Sequence, residues 1–310
     1  MTVILFSDTK TQWEIWRPHL EEAFAELGLT PELTHDHART DITHIALAPS
    51  GFIEDYRQFP QLQAVFSTWA GVEKVVGNPT LTVPLTHMVE PGLGMGMSEY
   101  VLGHVMRYHL GIDAFLAEQS GNWRSDLVAP LAEERGVCVL GLGALGTAAA
   151  ELLGAVGFDV YGWSRSAKRV LGTTTYHGEN GFFHALASST IFVTLLPQTA
   201  ATQNLINADV LAQMPKGSCI INPGRGPLID DDALIAALDS GHIAHATLDV
   251  FREEPLAQNH PYWAHPKVTV TPHIAAATRP ATASRMIAEN LRRSLAGEPL
   301  LHVVDRTRGY

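Results

Sequence analysis

The sequence predicts an α/β protein in which a doubly wound parallel sheet is inserted within a smaller α/β domain. Short apolar runs alternate with helix-like segments along the chain, and from residue 136 onward the alternation becomes regular. Strands that alternate with helices form right-handed crossovers and a parallel sheet. A last amphipathic segment at 280–295 is expected to return to the first domain. We therefore expect one domain at 1–97 and 281–310 and another at 98–280.

In the first domain, apolar runs predict strands and one amphipathic segment predicts a helix. The strands are expected at 3–6, 45–48 and 64–67, and the helix at 13–27, ending at Gly28. Positions 90–97 are rich in Gly and Pro, so we expect the chain to cross there into the second domain. A long amphipathic helix is then expected at 98–116.

The second domain shows six apolar runs that predict strands, separated by segments that predict helices. The strands are expected at 137–140, 159–163, 191–195, 218–222, 245–249 and 268–271. The helices are expected at 146–156, 184–188, 209–214 and 231–238. Gly217 and Gly241 follow the last two helices, where a glycine commonly ends a helix.

The composition argues against several classes of protein. The 310 residues carry 21 Lys+Arg against 32 Asp+Glu, a net charge of -11, whereas nucleic-acid binding needs a positive face. We expect no signal peptide, because the N-terminus at 1–8 has no positively charged region and its apolar stretch is too short. We expect no membrane span, because the apolar stretch 136–158 contains Thr147 and Glu151. Cys138 and Cys219 lie in apolar runs and are expected to be reduced, as in a cytoplasmic protein. The 15 His come without a zinc signature, so no metal site is expected.

The motif Gly141-Leu142-Gly143-Ala144-Leu145-Gly146 lies between a predicted strand and a predicted helix, the context of a dinucleotide-binding Rossmann turn. Gly141 permits the tight turn, Gly143 lets a pyrophosphate approach the backbone, and Gly146 allows close packing of helix on strand. The N–H groups and the dipole at the helix N-terminus favour phosphate. We therefore expect a dinucleotide site. The alternatives are a glycine-rich turn without a ligand and a Rossmann-like methyltransferase.

The end of the second strand in this domain favours NADPH over NADH. An acidic residue there would hold the ribose 2′-hydroxyl of NAD. The strand ends instead in Ser164-Arg165-Ser166, followed by Lys168 and Arg169. Ser164 can donate a hydrogen bond, and Arg165 can stack on the adenine or pair with a 2′-phosphate. NADH remains open as a cofactor, since these basic side chains also suit an ordinary solvated surface.

Three further motifs lie at the predicted ends of successive strands. They are Asn222-Pro223-Gly224-Arg225-Gly226, the segment Leu-Asp-Val-Phe-Arg-Glu-Glu-Pro at 248–255, and Thr271-Pro272-His273-Ile274. The carboxyl ends of the strands form the ligand crevice of an open α/β sheet, so an Arg, a Glu and a His are expected to converge there. An imidazole titrates near neutrality, and a guanidinium pairs with a carboxylate through a planar fork. Together they predict an acid/base site, with Glu253 and Glu254 competing for the carboxylate role.

With these motifs in this order, the chain resembles the D-isomer-specific 2-hydroxyacid dehydrogenase family over about residues 64–295. Within the family, the segment 91–100 and the Trp-Ser-Arg at 163–165 are similar to those of the glyoxylate/hydroxypyruvate reductases. The resemblance implies a Rossmann nucleotide domain inserted in a smaller flavodoxin-like substrate domain. It also implies hydride transfer between a nicotinamide cofactor and a 2-oxo acid.

The resemblance implies a role for each motif residue. Arg225 would orient the substrate, and His273 would be the general acid/base with Glu254, the residue directly before proline, as its partner. Asp249 would contact the nicotinamide carboxamide. The other expected cofactor residues are Gly141, Gly143, Ala144, Leu145, Gly146, Ser164, Arg165, Ser166, Leu196, Pro197, Pro223 and Gly224. The expected substrate residues are Trp69, Ala70, Gly71, Val72, Arg225 and His273, with the backbone at 70–72 receiving the substrate carboxylate.

These roles suit the chemistry, because hydride transfer to C2 leaves negative charge on the carbonyl oxygen, which needs a proton donor and a cation. We therefore expect NADPH-dependent reduction of small 2-oxo acids such as glyoxylate and hydroxypyruvate. A homodimer through the nucleotide domain, using the helix at 98–116, is also expected from the resemblance. Two alternatives stay open. One is a reductase of bulkier 2-oxo acids, because the segment Ala-Leu-Ala-Pro-Ser at 46–50 lacks the substrate-loop residues expected of a hydroxypyruvate reductase and leaves the size preference undecided. The other alternative is a dinucleotide-sensing module like the co-repressors that share this fold.

Overall fold

The computed structural model describes residues 1–48, 51, 53–117, 119–121, 123, 125 and 128–307, which fold as two compact units. Unit 1 comprises Met1–Leu93 and Thr278–Tyr310, and unit 2 comprises Gly94–Ala277. The two boundaries predicted from the sequence, after residues 97 and 280, lie a few positions later than the observed divisions.

The described residues form two sets of strands and their connecting helices. The strands are β1 (Val3–Ser7), β2 (Glu32–Thr34), β3 (His44–Leu47), β4 (Ala64–Ser67), β5 (Leu85–Thr86), β6 (Gly136–Leu140), β7 (Asp159–Ser164), β8 (Thr173–His177), β9 (Ile191–Thr194), β10 (Ser218–Asn222), β11 (Ile243–Leu248) and β12 (Val268–Val270). The helices are α1 (Lys10–Glu26), α2 (Glu73–Val76), α3 (Pro91–His109), α4 (Ile112–Ala117), α5 (Ala144–Val156), α6 (Gly178–Ala187), α7 (Ala208–Gln213), α8 (Asp231–Asp239), α9 (Pro261–Ala264) and α10 (Pro280–Ala296).

Unit 1 is built on a five-stranded parallel sheet in the order β2-β1-β3-β4-β5, the flavodoxin-like order. Successive residues of a strand point to opposite faces. Accordingly Ile4 and Phe6 join one apolar core, whereas Val3 and Leu5 join another. Helices α1 and α10 cover the first core together. Their buried side chains recur at helical spacing, as at Trp16, Leu20 and Phe24 of α1 and Ile287 and Leu291 of α10.

Unit 2 is built on a seven-stranded parallel sheet in the order β12-β11-β10-β9-β6-β7-β8. This is the doubly wound Rossmann order with one further strand at the edge, and the order reverses between β6 and β9. One face packs on α3 and α5, and the other packs on α6, α7 and α8. The predicted fold class is therefore confirmed in both units. Within the described ranges, every helix is too short or too polar to cross a bilayer.

The predicted helix at 98–116 is wrong at both ends. Helix α3 begins at Pro91, so the segment rich in Gly and Pro is helical rather than a crossing loop. Proline is tolerated in the first turn of a helix, and the Glu90 carboxylate accepts a hydrogen bond from the Gly92 N–H at 2.6 Å. At the other end, Gly111 adopts φ +66° and separates α3 from α4. A left-handed residue cannot continue a right-handed helix.

Some elements escape the sequence prediction because their signal is weak. Strand β8 reads Thr-Thr-Thr-Tyr-His and lies at the edge of its sheet, so it is only partly buried and shows no apolar run. Strands β2 and β5 are three and two residues long. Helix α6 begins at Gly178, before the predicted start at position 184. All nine strands predicted from the sequence are nevertheless present, in the same order along the chain.

His44 is a buried polar residue within the core of unit 1. Its Nδ1 lies 3.0 Å from Thr43 Oγ1, whose own proton goes to the Val3 carbonyl, so Nδ1 carries a proton and donates. Its Nε2 lies 2.9 Å from Ser294 Oγ, and the ring stacks on Phe66. Burial lowers the pKa of His44 from 6.5 to about 4, since the charged ring would lose its hydration. The neutral ring is thus the form that fits this core.

The free energy of unfolding is expected to fall as the pH is lowered from 6.5 towards 4. In this range the unfolded chain binds a proton at His44 that the folded chain excludes. This difference lowers the free energy of unfolding by about 3 kcal/mol at most. His44→Gln should reduce the slope in urea unfolding curves recorded from neutral pH down to about 4.5. Part of the slope should remain, because burial also lowers the pKa of His245 to about 4. An unchanged slope in the variant would contradict the assignment to His44.

Candidate active site

The glycine motif forms the turn between β6 and α5, and its three glycines meet different surroundings. Gly141 has φ +108°, and a Cβ there would lie 2.5 Å from the Leu195 carbonyl oxygen. A Cβ on Gly146 would lie 1.8 Å from the carbonyl oxygen of Gly141. Around Gly143, by contrast, an added Cβ would meet nothing within 4 Å. The outer glycines are therefore required by the packing of the protein itself, whereas the middle one borders open space at the N-terminus of α5.

The loop after β9 lies beside the glycine turn, where the strand order reverses. The Leu195 N–H donates to the Leu140 carbonyl at 2.7 Å, which ties this loop to the end of β6. The predicted cofactor residue Leu196 is buried and Pro197 is half-buried, with its carbonyl accepting from Thr202 Oγ1 at 2.7 Å. In the turn itself, Ala144 is exposed and Leu145 is half-buried. A ligand crevice at such a switch point is typical of open α/β sheets.

The residues predicted to select the cofactor lie at the end of β7. The Ser164 hydroxyl is buried and donates to the Ser166 carbonyl at 2.8 Å, so its proton is used within the turn. Arg165 and Ser166 are exposed. The Lys168 ammonium donates to the Leu142 carbonyl inside the glycine motif. Arg165 and Arg169 are therefore exposed cations after this strand, while Lys168 ties the glycine motif to the segment after β7.

Asn222 shapes the loop after β10. Its Oδ1 accepts from Thr194 Oγ1 at 2.6 Å and from the Gly224 N–H at 3.2 Å, and its Nδ2 donates to the Arg225 carbonyl at 3.0 Å. A Cβ on Gly224 would lie 2.6 Å from the Thr194 carbonyl oxygen, so this position requires glycine. One side chain thus fixes the backbone on both sides of Gly224 and joins the loop to the end of β9.

The same loop presents Arg225, the predicted substrate-orienting cation. Its side chain is half-buried, and Nη1 donates to the Gly224 carbonyl at 2.7 Å. Pro223 before it is buried. A Cβ on Gly226 after it would lie 2.0 Å from the Phe251 carbonyl carbon, in the loop after the neighbouring strand β11. Arg225 is therefore held on a loop whose backbone packs against the next strand end.

His273 and Glu254 form the predicted pair. The His273 Nδ1 lies 2.8 Å from Glu254 Oε2, and the two side chains are 34% and 36% exposed. Glu254 Oε1 also accepts from the Phe251 N–H at 2.9 Å, which orients the carboxylate. An ionised carboxylate can only accept, so Nδ1 carries the proton that faces it. The other ring nitrogen, Nε2, points away from this carboxylate.

The structure also separates the two adjacent glutamates that the sequence leaves as alternatives. Both glutamates are exposed, and Glu254 is the one that contacts His273. Arg252, in the same loop, pairs with Asp231 at the start of α8 at 2.9 Å. That ion pair anchors the loop from its other side. The identity of the partner carboxylate thus depends on the direction in which the loop turns, which spacing alone does not reveal.

Asp249 is placed differently from the other polar residues of the site, since it is 0% exposed. Its Oδ1 accepts from Thr271 Oγ1 at 2.6 Å and from the Ile274 N–H at 2.9 Å. Its Oδ2 accepts from the Ala275 N–H at 2.9 Å. The family resemblance implies a contact of Asp249 with the nicotinamide carboxamide, but it does not indicate that Asp249 braces the loop that carries His273. The available signal was a carboxylate placed directly after a buried strand.

The predicted substrate loop follows β4 in unit 1. Trp69 is 42% exposed, so it is not a core residue, and its carbonyl accepts hydrogen bonds from Ser67 Oγ at 3.0 Å and from the Met88 N–H at 2.8 Å. Ala70 and Gly71 are half-buried and Val72 is buried. The His87 ring is hydrogen-bonded to the Ala70 backbone, and burial, with His302 as a second cause, lowers the pKa of His87.

Two further predictions concern the segment at 46–50 of unit 1 and the absence of a metal site. Of the segment at 46–50, positions 49 and 50 lie outside the described residues. Across the described part of the chain, no group of three or more His, Cys, Asp or Glu is arranged to hold a metal ion.

Comparison with known sequences identifies one family. Residues 100–275 match the family described as D-isomer specific 2-hydroxyacid dehydrogenase, NAD binding domain. Glyoxylate/hydroxypyruvate reductase A of Salmonella enteritidis is 35% identical to this chain over 318 residues, which cover 100% of each chain. The resemblance that the motifs indicate is therefore confirmed.

Solved structures lead to the same family. A D-isomer specific 2-hydroxyacid dehydrogenase from Xanthobacter autotrophicus Py2, in complex with NADPH and MES, matches with a TM-score of 0.90 and 40% identity, covering 100% of this chain and 99% of the other. An NADPH-dependent glyoxylate/hydroxypyruvate reductase from Sinorhizobium meliloti, in complex with NADP and sulfate, matches with a TM-score of 0.87 and 31% identity, covering 100% and 99%. The similarity extends over both units.

The different surroundings of Gly143 and Gly146 predict that substitution affects cofactor binding at the first position and fold stability at the second. Gly143→Ala should leave the melting temperature unchanged but weaken NADPH binding at least tenfold, about 1.4 kcal/mol, because the methyl group would enter the space beside the helix N-terminus. Gly146→Ala should destabilise the fold by about 2 kcal/mol or more, since its Cβ overlaps a carbonyl oxygen. Thermal unfolding and NADPH fluorescence titration measure both. Equal NADPH affinity of Gly143→Ala and the unaltered protein would show that the turn holds no pyrophosphate.

Proposed function

The chain belongs to the D-isomer specific 2-hydroxyacid dehydrogenases, and from that premise we propose that it reduces small 2-oxo acids to 2-hydroxy acids with NADPH. Glyoxylate and hydroxypyruvate are the proposed substrates. The observation that carries the proposal is the contact of 2.8 Å between His273 Nδ1 and Glu254 Oε2. Full-length similarity to a glyoxylate/hydroxypyruvate reductase supports the choice of substrates.

The glycine turn supports the nicotinamide cofactor. Open space beside Gly143, the free N–H groups at the start of α5 and the adjacent loop at Leu196 and Pro197 fit a dinucleotide diphosphate. Pro223 and Gly224 would complete the site at the end of the neighbouring strand β10. NADPH, when bound, supplies the hydride.

Preference for NADPH over NADH rests on the end of β7. No carboxylate follows that strand, where one would repel a 2′-phosphate, and Arg165 is exposed there. The related proteins from Xanthobacter autotrophicus and Sinorhizobium meliloti, which are in complex with NADPH and NADP, support the same choice. We expect NADH to be used less well.

The side chains of unit 2 supply what the carbonyl group requires. His273 would donate a proton from Nε2 to the carbonyl oxygen as negative charge develops there. Glu254 accepts the hydrogen bond from Nδ1 and thereby orients the imidazole ring for this transfer. Arg225 would pair with the substrate carboxylate and polarise the carbonyl through its planar guanidinium. In unit 1, the backbone at Ala70, Gly71 and Val72 is proposed to bind the carboxylate, with Trp69 limiting substrate size.

The direct test is the loss of NADPH absorbance with glyoxylate, hydroxypyruvate, pyruvate and a branched 2-oxo acid, each repeated with NADH. Fast turnover of glyoxylate and hydroxypyruvate with NADPH is the expected outcome. Activity on the branched acid alone would keep the mechanism and overturn the substrate. Tight cofactor binding without turnover of any acid would instead favour a dinucleotide-sensing module.

The adjacent glutamates provide a matched pair of variants for the proton donor. Glu254→Gln and His273→Gln should lower kcat by about 100-fold or more, because the proton donor or its orientation is lost. Glu253→Gln should change kcat less than twofold, since Glu253 is exposed and Glu254 is the residue that pairs with His273. Steady-state kinetics measure the difference, and NADPH titration should show that all three variants bind the cofactor. Full activity of His273→Gln would contradict the assignment of His273 as the acid/base.

The segment after α3 supports a homodimer built through unit 2. Its large apolar side chains are exposed, including Trp123 at 94% and Val128 at 84%. Ile112, Phe115, Leu116 and Leu131 are exposed as well. Soluble proteins rarely leave so much apolar surface uncovered, and a second copy of the chain is the proposed cover.

Cys138 and Cys219 are free thiols, which fits the proposed cytoplasmic location.

Trp123→Ser is expected to shift the protein from dimer to monomer, because it removes the most exposed of these side chains. Trp263→Ser, which also removes an exposed tryptophan from unit 2, is the control and should leave the dimer intact. Size-exclusion chromatography with light scattering measures the mass of each variant. A monomeric unaltered protein, or a dimer that survives Trp123→Ser, would contradict the proposed interface.

A further inference from the structure

A chain of hydrogen bonds runs from helix α3 to the loop that carries His273. Its centre is the fully buried Asp249 carboxylate, which accepts from Thr271 Oγ1 at 2.6 Å and from the N–H groups of Ile274 and Ala275, each at 2.9 Å. Burying a carboxylate is costly unless its oxygens are hydrogen-bonded. The hydrogen bonds from the His273 loop therefore stabilise the buried Asp249 carboxylate, and the same bonds hold the loop in place.

The hydroxyl of Tyr100 continues this chain into α3. It lies 2.7 Å from Thr271 Oγ1. Thr271 has a single hydroxyl proton, which it gives to Asp249, so Tyr100 must be the donor in its contact with Thr271. Burial raises the pKa of Tyr100, which keeps the phenol protonated and able to donate. The direction of the chain is thus fixed as Tyr100 to Thr271 to Asp249.

The loop at the end of this chain has a backbone conformation that needs support. His273 has φ +54°, a left-handed conformation that is uncommon for a residue with a side chain. Its N–H donates to the Asp249 carbonyl at 2.8 Å and approaches the Thr271 carbonyl at 3.1 Å. Such conformations persist where the surroundings over-determine them. Thr271 and Asp249, which are linked by side chains, are the same two residues that accept from the His273 backbone.

Helix α3 is a firm anchor for the chain. Met97, Val101 and Val105 recur every fourth residue and are buried in the core that also contains Val137 and Val139 of β6. Residues at this spacing lie on one face of a helix. Because that face is fixed against the sheet, the phenol of Tyr100 has little freedom to follow a displaced loop.

We propose that Tyr100 is a positioning residue, whose hydroxyl acts through Thr271 and Asp249 to hold His273 in the conformation that meets Glu254. This inference rests on the proposed function in one respect, since it takes His273 as the acid/base. Tyr100 itself would touch neither substrate nor cofactor. Its loss is expected to alter the geometry of proton transfer rather than binding.

Helix α3 contains a matched control at Tyr108. The Tyr108 hydroxyl lies 2.6 Å from Thr247 Oγ1, so it makes the same type of contact from the same helix. Thr247 belongs to β11, and its hydroxyl approaches His104 Nδ1 at 3.4 Å rather than Asp249. Tyr108→Phe therefore removes an equivalent buried hydroxyl without interrupting the chain to His273.

The test compares Tyr100→Phe with Tyr108→Phe. We expect Tyr100→Phe to lower kcat by ~10-fold with the Kd for NADPH changed less than twofold, because a small misplacement of a catalytic group affects turnover first. Tyr108→Phe should change kcat less than twofold. Amide hydrogen exchange at Ile274 and Ala275 should accelerate in Tyr100→Phe alone, since these N–H groups bond the carboxylate at the end of the chain.

A second pair of variants interrupts the chain at its middle. Thr271→Val removes the hydroxyl at nearly constant shape and should reproduce or exceed the loss of kcat, whereas Thr271→Ser keeps the donor and should retain activity. Equal kcat and equal exchange in Tyr100→Phe and Tyr108→Phe would overturn the inference. If the unaltered protein turns over no 2-oxo acid, the proposed function fails, and the exchange rates at 274 and 275 alone decide whether the chain holds the loop.

Discussion

The hydrogen bonds that join neighbouring strand ends in unit 2 are the interaction on which the candidate site depends. They link Gly141 N to Trp163 O, Leu195 N to Leu140 O, Thr194 Oγ1 to Asn222 Oδ1, Asp249 N to Asn222 O, Thr271 N to Leu248 O and His273 N to Asp249 O, over 2.6 to 3.0 Å. Each loop is bonded to its neighbour, from the glycine turn to the His273 loop. The geometry of the site therefore follows from the register of the parallel sheet.

Close joining of the strand ends explains why so many of the motif residues are glycines. A Cβ on Gly141, Gly224 or Gly226 would strike the backbone of the neighbouring strand end at 2.5, 2.6 or 2.0 Å. These glycines serve the protein's own packing. Gly143 alone among the glycines of the turn borders open space, so no packing contact of the described residues requires glycine there. One sequence motif thus combines glycines that the packing requires with a glycine that it does not, and the structure distinguishes them.

Much of the fold is predictable from sequence because parallel strands buried on both faces produce continuous apolar runs. The glycine turn, Arg225 and the pair of a Glu with His273 are predictable as well, since each follows such a run. The choice of Glu254 over Glu253 depends on how one loop turns. The contact of Tyr100 with Thr271 joins residues 171 positions apart, and no local pattern records it. The break at Gly111 was equally hidden, because a glycine can continue a helix or end it.

The left-handed conformation of His273 departs from the local preference of a residue with a side chain. Glycine would adopt φ +54° without strain, but it could not pair with Glu254. A histidine in this conformation costs roughly 1 kcal/mol, which the hydrogen bonds from the loop to Asp249 can offset. The strained residue and the buried carboxylate therefore require each other. Removing the carboxylate would leave the loop free to relax, and relaxing the loop would leave a buried charge with fewer donors.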